Sequence, residues 1–399
     1  MNILRRIYCR IYQNLFQLAI PFMPYRQPDV KKSVTEIPEI LRSHGLSHPL
    51  LVTDKSIHGL GLTKELENSL SENSIDFTIF DETIPNPTIS NIESGVKKYI
   101  ECNCDSIIAF GGGSVMDCAK VIGARIAKPK KPVSKMKGLL KICKKIPLLI
   151  AIPTTAGTGS ETTLAAVITD DKTHHKYPIN DFCLIPSYAV LDYKNTLGLP
   201  PHITSTTGMD ALTHAVEAYI GGSTTRKTRK SAEIATKLIV ENLPIAYQNG
   251  KNESARANML LASYHAGVAF TISYVGYVHA VAHSLGGKYG VPHGLANAII
   301  LPHFLDEYGS KIHKKLARLS KISGIASKND SNEQASAKFI AWIKETNKSM
   351  NIPTYVEALK KEDIPSLARL ANAEANPLYP VPVLMNTKEL EKMYYKLLK

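Results

Sequence analysis

"SIIAFGGGSVMDCAK", residues 106–120, runs from an apolar stretch through three consecutive glycines into a segment with helical spacing. An apolar run closed by a turn signal predicts a strand covered on both faces, ending at Phe110. Glycines 111–113 predict a tight turn into a helix that starts near Ser114. Glycine there lets the backbone approach a ligand closely, and the free amides at a helix start, with the helix dipole, favour a diphosphate. The spacing is neither GxGxxG nor a P-loop, so neither of those binding modes transfers whole.

Working outward, the chain alternates short apolar runs with helical stretches. "PLLVTD", "DFTIFDE" and "PLLIAIPTT" read as strands, while "LTKELENSLSEN", "TISNIESGVKKYIE" and "VMDCAKVIGARIA" read as helices. Such alternation predicts a parallel α/β domain over residues 31–198. After "CLIPSYAVLD" the strand signals stop and Ala, Leu and Lys recur at helical spacing, which predicts an all-α domain over residues 199–399. In the first domain Asp54, at a strand end, is placed to accept hydrogen bonds from a ribose diol and to repel a 2'-phosphate. An aspartate at that position also suits a simple loop cap. "IPTTAGTGSETT", residues 152–163, offers Thr154, Thr155 and Thr163 as donors at the edge where ligands of open α/β sheets bind.

The composition is that of a globular protein, with 44% hydrophobic and 21% charged residues. The six cysteines contain no CxxC pair, which argues against a disulfide or zinc-finger framework and for a reducing compartment, the cytoplasm. Net charge is +13, concentrated in "RIAKPKKPVSKMKGLLKICKK", residues 125–145. No aromatic residue interleaves those charges, so they read as a solvated connection and not as a nucleic-acid site.

Residues 1–30 form a separate basic extension without an acid before Asp29, in which Leu4, Tyr8, Ile11, Leu15, Leu18 and Phe22 line one helical face. Gln13, Asn14 and Gln17 break any run long enough to span a bilayer. Two expectations stand side by side: peripheral contact with a membrane through residues 1–28, or packing on protein.

Chemistry concentrates in the second domain. In "TTGMDALTHAVEAYI", residues 206–220, Asp210 and His214 are one helical turn apart on a shared face. His279 and His283 repeat that spacing, and His293 follows a glycine-containing turn. Both segments are otherwise apolar, and buried charge must be paired or bound, so the set predicts a divalent metal site. Mixed imidazole and carboxylate donors suit iron, zinc, manganese or nickel; spacing alone leaves open whether His279 or His283 binds. His303 is expected at a helix end, outside the site.

"GGGSVMDCAK", "PTTAGTGSE", "GMDALTHAVEAY" and "HAVAHSLGGKYGVPHGLANAIILPH" resemble the iron-containing (group III) alcohol dehydrogenase family, in family order over residues 33–399. The resemblance implies a Rossmann-like NAD(P) domain, a helical metal-binding domain and an active site between them. It implies Asp210, His214, His279 and His293 as metal ligands, with His283 left to relay a proton. For the cofactor it implies Asp54, Asn86, Gly112, Gly113, Ser114, Asp117, Thr154, Thr155, Thr163 and Lys176. The expected reaction is reversible hydride transfer between a primary or short-chain alcohol and NAD, favoured over NADP, with Fe2+ as the metal or Zn2+ in its place. Homo-oligomers are expected. Polyol oxidation of the glycerol dehydrogenase type, and a non-catalytic membrane-surface module, are the competing expectations.

Overall fold

The computed structural model describes residues 3–172 and 176–399, and these divide into two compact units, one of the described residues between 24 and 198 and the other the helical 199–399 together with 3–23.

In the first unit a six-stranded sheet runs in the order Asp29–Lys31, Tyr188–Val190, Leu148–Pro153, Ser106–Gly111, Pro49–Val52, Thr78–Phe80. Every pairing in it is parallel. The central strands are buried on both faces, which explains why Ser106–Gly111 and Leu148–Pro153 read as unbroken apolar runs. Chain order reverses between Pro49–Val52 and Ser106–Gly111, since consecutive connections leave these neighbours in opposite directions. Ligands of open α/β sheets bind outside the strand carboxyl ends at such a reversal. Asp54 and the glycine turn follow those two strand ends directly.

Two features of this unit lay below the resolution of the sequence pattern. Asp29–Lys31, too short and polar to register, begins before the boundary read at residue 30 and pairs with Tyr188–Val190. A second sheet joins Gly138–Leu139, Lys176–Asn180 and Ala165–Thr169. The lysine-rich segment is more than a solvated connection, because Val133, Met136 and Ile142 are fully buried and tie it to the core.

The second unit packs long helices whose apolar residues surround the histidine motifs. Pro201–Ile220 is buried along most of its length, as are Tyr277–Tyr289 and His293–Tyr308. The chain turns by 101° between Glu253–Ser273 and Tyr277–Tyr289. Gly290, in the left-handed conformation (φ 69°), ends Tyr277–Tyr289 and folds the following helix back on it. Among the described residues no single helix is long and apolar enough to cross a membrane. The amphipathic helix near the start of the chain spans Ile3–Ala19 and packs on this unit through its polar face. His303 lies within His293–Tyr308 and not at its end.

Candidate active site

The helix Pro201–Ile220 carries Asp210, His214 and, one turn further, Glu217; Tyr277–Tyr289 carries His279 and His283; His293 opens the next helix. One ligand atom from each of Asp210, His214, His279 and His293 lies within 4.8 Å of the others. The imidazoles of His214 and His279 have centroids 4.4 Å apart, and those of His279 and His293 5.3 Å apart. Phe270 stacks on His214 at 4.1 Å and fixes its ring plane.

His279 has the most constrained of these rings. Its Nδ1 lies 2.6 Å from Glu217 Oε2, and both side chains are almost wholly buried. Glu217 also accepts from the backbone amides of Gly276 and Val278, each at 2.9 Å, so one carboxylate caps the start of the histidine helix and orients the His279 ring. Burial and the neighbouring His214, His293 and His283 push the His279 pKa well below its ordinary value, so the ring is neutral, donating from Nδ1. Burial raises the Glu217 carboxyl to about 7 against three backbone donors that lower it. The other nitrogen, His279 Nε2, is buried without a hydrogen-bond partner. A neutral imidazole with one nitrogen held by a carboxylate and the other bare among a carboxylate and two imidazoles fits a divalent metal. The donor set contains no thiolate.

Asn297, one turn after His293, donates from Nδ2 to Asp210 Oδ1 at 2.7 Å and lies 3.1 Å from His293 Nε2. Close backbone approach permits this: a Cβ on Gly294 would stand 2.4 Å from the carbonyl oxygen of Thr206. His283 is outside the four-residue cluster. Its ring stacks on His293 at 5.2 Å, its Nδ1 is 2.6 Å from Glu374 Oε1, and its side chain is 40% exposed. The Tyr379 hydroxyl donates to the same oxygen at 2.7 Å. Burial would raise the Glu374 carboxyl, but His283 and Tyr379 outweigh it and hold it below its ordinary value.

In the α/β unit, Gly112 precedes the helix Gly113–Ala127, and no side chain caps that helix start. Its amides are therefore available to an anion. A Cβ on Gly112 would meet Thr155 Oγ1 at 3.6 Å and one on Gly113 would meet Thr158 Cγ2 at 3.0 Å, so the threonine loop closes over the turn. Asn86, at φ 58°, donates its amide to Ser114 Oγ at 3.2 Å, which brings a third loop to the same place. Together these residues form a cradle that fits a dinucleotide diphosphate.

Asp54 caps Lys55–Gly59 by accepting from the amide of Ile57 at 2.9 Å, the loop-cap role its position allowed. Asp117 and Thr163 brace the cradle from within. Asp117 accepts from Ser160 Oγ and the amide of Val167, and burial raises its carboxyl to about 6. Thr163 Oγ1 takes a bond from Lys120 Nζ at 2.8 Å. Thr154 is buried beside the turn, its amide bonded to the Gly111 carbonyl. Lys176 starts a strand of the three-stranded sheet, opposite Thr169.

Lys120, unmarked in the sequence reading, is fully buried with its ammonium bonded to Ser160, Thr163 and the carbonyl of Ala165. Burial lowers its pKa to about 8 despite Asp117 and Glu161. Replacing Lys120 with Met strips these acceptors of their donor and leaves Asp117 and Glu161 buried without it. Urea denaturation of Lys120→Met should show about 3 kcal/mol lost; an unchanged midpoint would mean the ammonium contributes nothing net.

Fold and site have the make-up of a two-part oxidoreductase, with a glycine turn on a parallel sheet that fits a dinucleotide diphosphate and a histidine–carboxylate cluster in a helical unit that could hold a metal. Residues 30–193 match the family described as iron-containing alcohol dehydrogenase, and residues 204–398 match the C-terminal part of the same family. The chain is 35% identical over 384 residues to the 1,3-propanediol dehydrogenase of Citrobacter freundii, covering 95% of this chain and 98% of that one. It is 36% identical to the NAD-dependent methanol dehydrogenase of Bacillus methanolicus, over 88% of this chain and 92% of the relative. A crystal structure of 1,3-propanediol oxidoreductase superposes with a TM-score of 0.90 at 34% identity, covering 94% of this chain and 99% of that one. The sulfoacetaldehyde reductase of Bifidobacterium kashiwanohense, solved with NAD+, superposes with a TM-score of 0.84 at 29% identity, over 94% and 98% of the two chains. The chain belongs to the iron-containing alcohol dehydrogenase family and is a metal-binding oxidoreductase of that type.

Proposed function

We propose that the enzyme interconverts primary or short-chain alcohols and their aldehydes with NAD, using Fe2+ held by Asp210, His214, His279 and His293, with Zn2+ as the alternative metal. The observation that carries this reading is the buried, unpartnered Nε2 of His279 amid the other three donors. A divalent metal at these donors supplies Lewis-acid polarisation of the substrate oxygen, and the nicotinamide supplies the hydride chemistry. Glu217 keeps His279 neutral and aimed; Asn297 restrains Asp210. His283, half-exposed and anchored by Glu374, exchanges the hydroxyl proton with solvent.

The glycine turn and the uncapped amides hold the diphosphate, Asn86 and the threonine loop wall it, and Asp54 favours NAD over NADP by repelling a 2'-phosphate. Lys176 is assigned to the same pocket from the family pattern alone. The free cysteines support a reducing compartment, which we take to be the cytoplasm. Homo-oligomers remain our expectation from the sequence, to be read by sedimentation.

Anaerobic purification with elemental analysis, followed by NADH-linked assays on a panel including butanol and glycerol, tests the reading. Iron in the protein and faster turnover of butanol are expected; preference for glycerol would favour polyol oxidation. His283→Ala should retain its metal and lose about 10²-fold in kcat, the contribution of one proton-transfer group. Metal loss in that variant would make His283 a ligand.

A further inference from the structure

The helix Ile3–Ala19 is mounted the opposite way to an ordinary amphipathic surface helix. Cys9 and Gln13 face the protein at 1% and 4% exposure. Gln13 donates to the Tyr379 carbonyl at 2.7 Å, and Arg10 donates to the carbonyls of Val381 and Pro382 at 2.8 and 2.9 Å. The opposite side carries the apolar residues, with Leu4 73%, Leu15 62%, Leu18 70% and Phe22 88% exposed, and with Tyr8 and Ile11 between them more than half exposed. A face of this length and hydrophobicity is covered by something in use.

Charge selects the cover. No acid occurs in residues 1–28, whereas Arg5, Arg6, Arg10 and Arg26 do. Arg10 and Arg26 donate to backbone carbonyls of the protein and Arg6 lies 3.7 Å from Glu389, so in two copies set face to face it is the exposed Arg5 of each that would meet with no carboxylate on the helix to pair it. The helix Ile364–Ala375, which receives the Arg5 guanidinium at Asn372, presents exposed Arg369 and Leu370 in turn. Apolar residues with the exposed Arg5 and Arg369 beside them suit the headgroup boundary of an anionic bilayer. The helix lies before residue 30, where the family match begins, so the catalytic machinery does not account for it.

We propose that this helix, with the short turn Ile20–Phe22 that follows it, docks the enzyme on an anionic lipid surface, lying in the headgroup plane with Leu4, Tyr8, Ile11, Leu15, Leu18 and Phe22 inserted. The anchoring bonds of Arg10 and Gln13 hold the body to the docked helix.

Co-sedimentation of the full chain with phosphatidylcholine vesicles, with and without phosphatidylserine, tests this, alongside sedimentation velocity without lipid. Binding to the phosphatidylserine vesicles is expected, falling with salt and dropping about tenfold in the Leu15→Glu/Leu18→Glu double variant. Both residues are exposed and outside the site, so unchanged alcohol oxidation by the variant reports an intact fold. Failure to bind either vesicle, or equal binding to both, overturns the proposal. A dimer that the double variant dissociates, without vesicle binding, assigns the stripe to a second copy instead.

Discussion

His279→Ala should abolish bound metal and alcohol-dependent NADH formation together, lowering kcat/KM by about a thousandfold or more. The Lewis-acid contribution at stake is several kcal/mol, and each 1.36 kcal/mol is tenfold in rate. The expected effect is this large because His279 is the best organised of the four donors: Nδ1 is locked to Glu217, and Nε2 has no other partner. Alanine also leaves Glu217 buried with one donor fewer, so lost activity in this variant alone would mix metal loss with destabilisation. His279→Asn separates them. Its amide reaches the position of Nδ1 and restores a donor to Glu217, but nothing replaces Nε2. If that variant folds like the parent by near-ultraviolet circular dichroism yet holds no metal, the loss is one of ligation. Retained metal and turnover would remove His279 from the site.

Glu217→Gln should weaken metal affinity by about 10- to 100-fold without abolishing it, as loss of a carboxylate partner to a metal-bound histidine does. With its oxygen at the Oε2 position glutamine keeps an acceptor for the Gly276 amide and His279 Nδ1, but its NH2 then faces the Val278 amide that Oε1 accepts, and the neutral amide binds the imidazole more weakly than a carboxylate. A competition titration against a chromophoric chelator measures the shift. The same carboxylate can be disturbed sterically, since a Cβ on Gly276 would stand 2.5 Å from Glu217 Oε1 and push the carboxylate from its place. Gly276→Ala is therefore expected to mimic Glu217→Gln in metal affinity while leaving every ligand in place. Unchanged affinity in both variants would reduce Glu217 to a helix cap.

The sequence exposed much of this architecture because period and burial coincide in it. The unbroken apolar runs at 107–110 and 148–152 lie in central strands covered on both faces, and the one-turn spacing of Asp210 and His214 sits on a buried helix. Glu217 was within reach, since it follows His214 by three residues on a helix whose surroundings are apolar. Asn297 stands in the same relation to His293, one turn on. Glu374 carries no such local signal. It lies 91 residues from His283, and only the packing of Ile364–Ala375 brings the two together. Lys120 eluded the pattern for another reason: lysine reads as solvent-facing, and its burial depends on acceptors forty or more residues away along the chain. The helix Ile3–Ala19 was legible as amphipathic, but periodicity cannot say which face meets the protein, and here the polar one does.

Exhaustive anaerobic chelation of the purified enzyme, with metal content and alcohol-dependent NADH formation followed on the same sample, tests the central claim most directly. We expect one divalent ion per chain at the outset, activity falling in proportion as it is withdrawn, and recovery when Fe2+ is returned. Full activity in protein shown by elemental analysis to be free of metal would contradict the account.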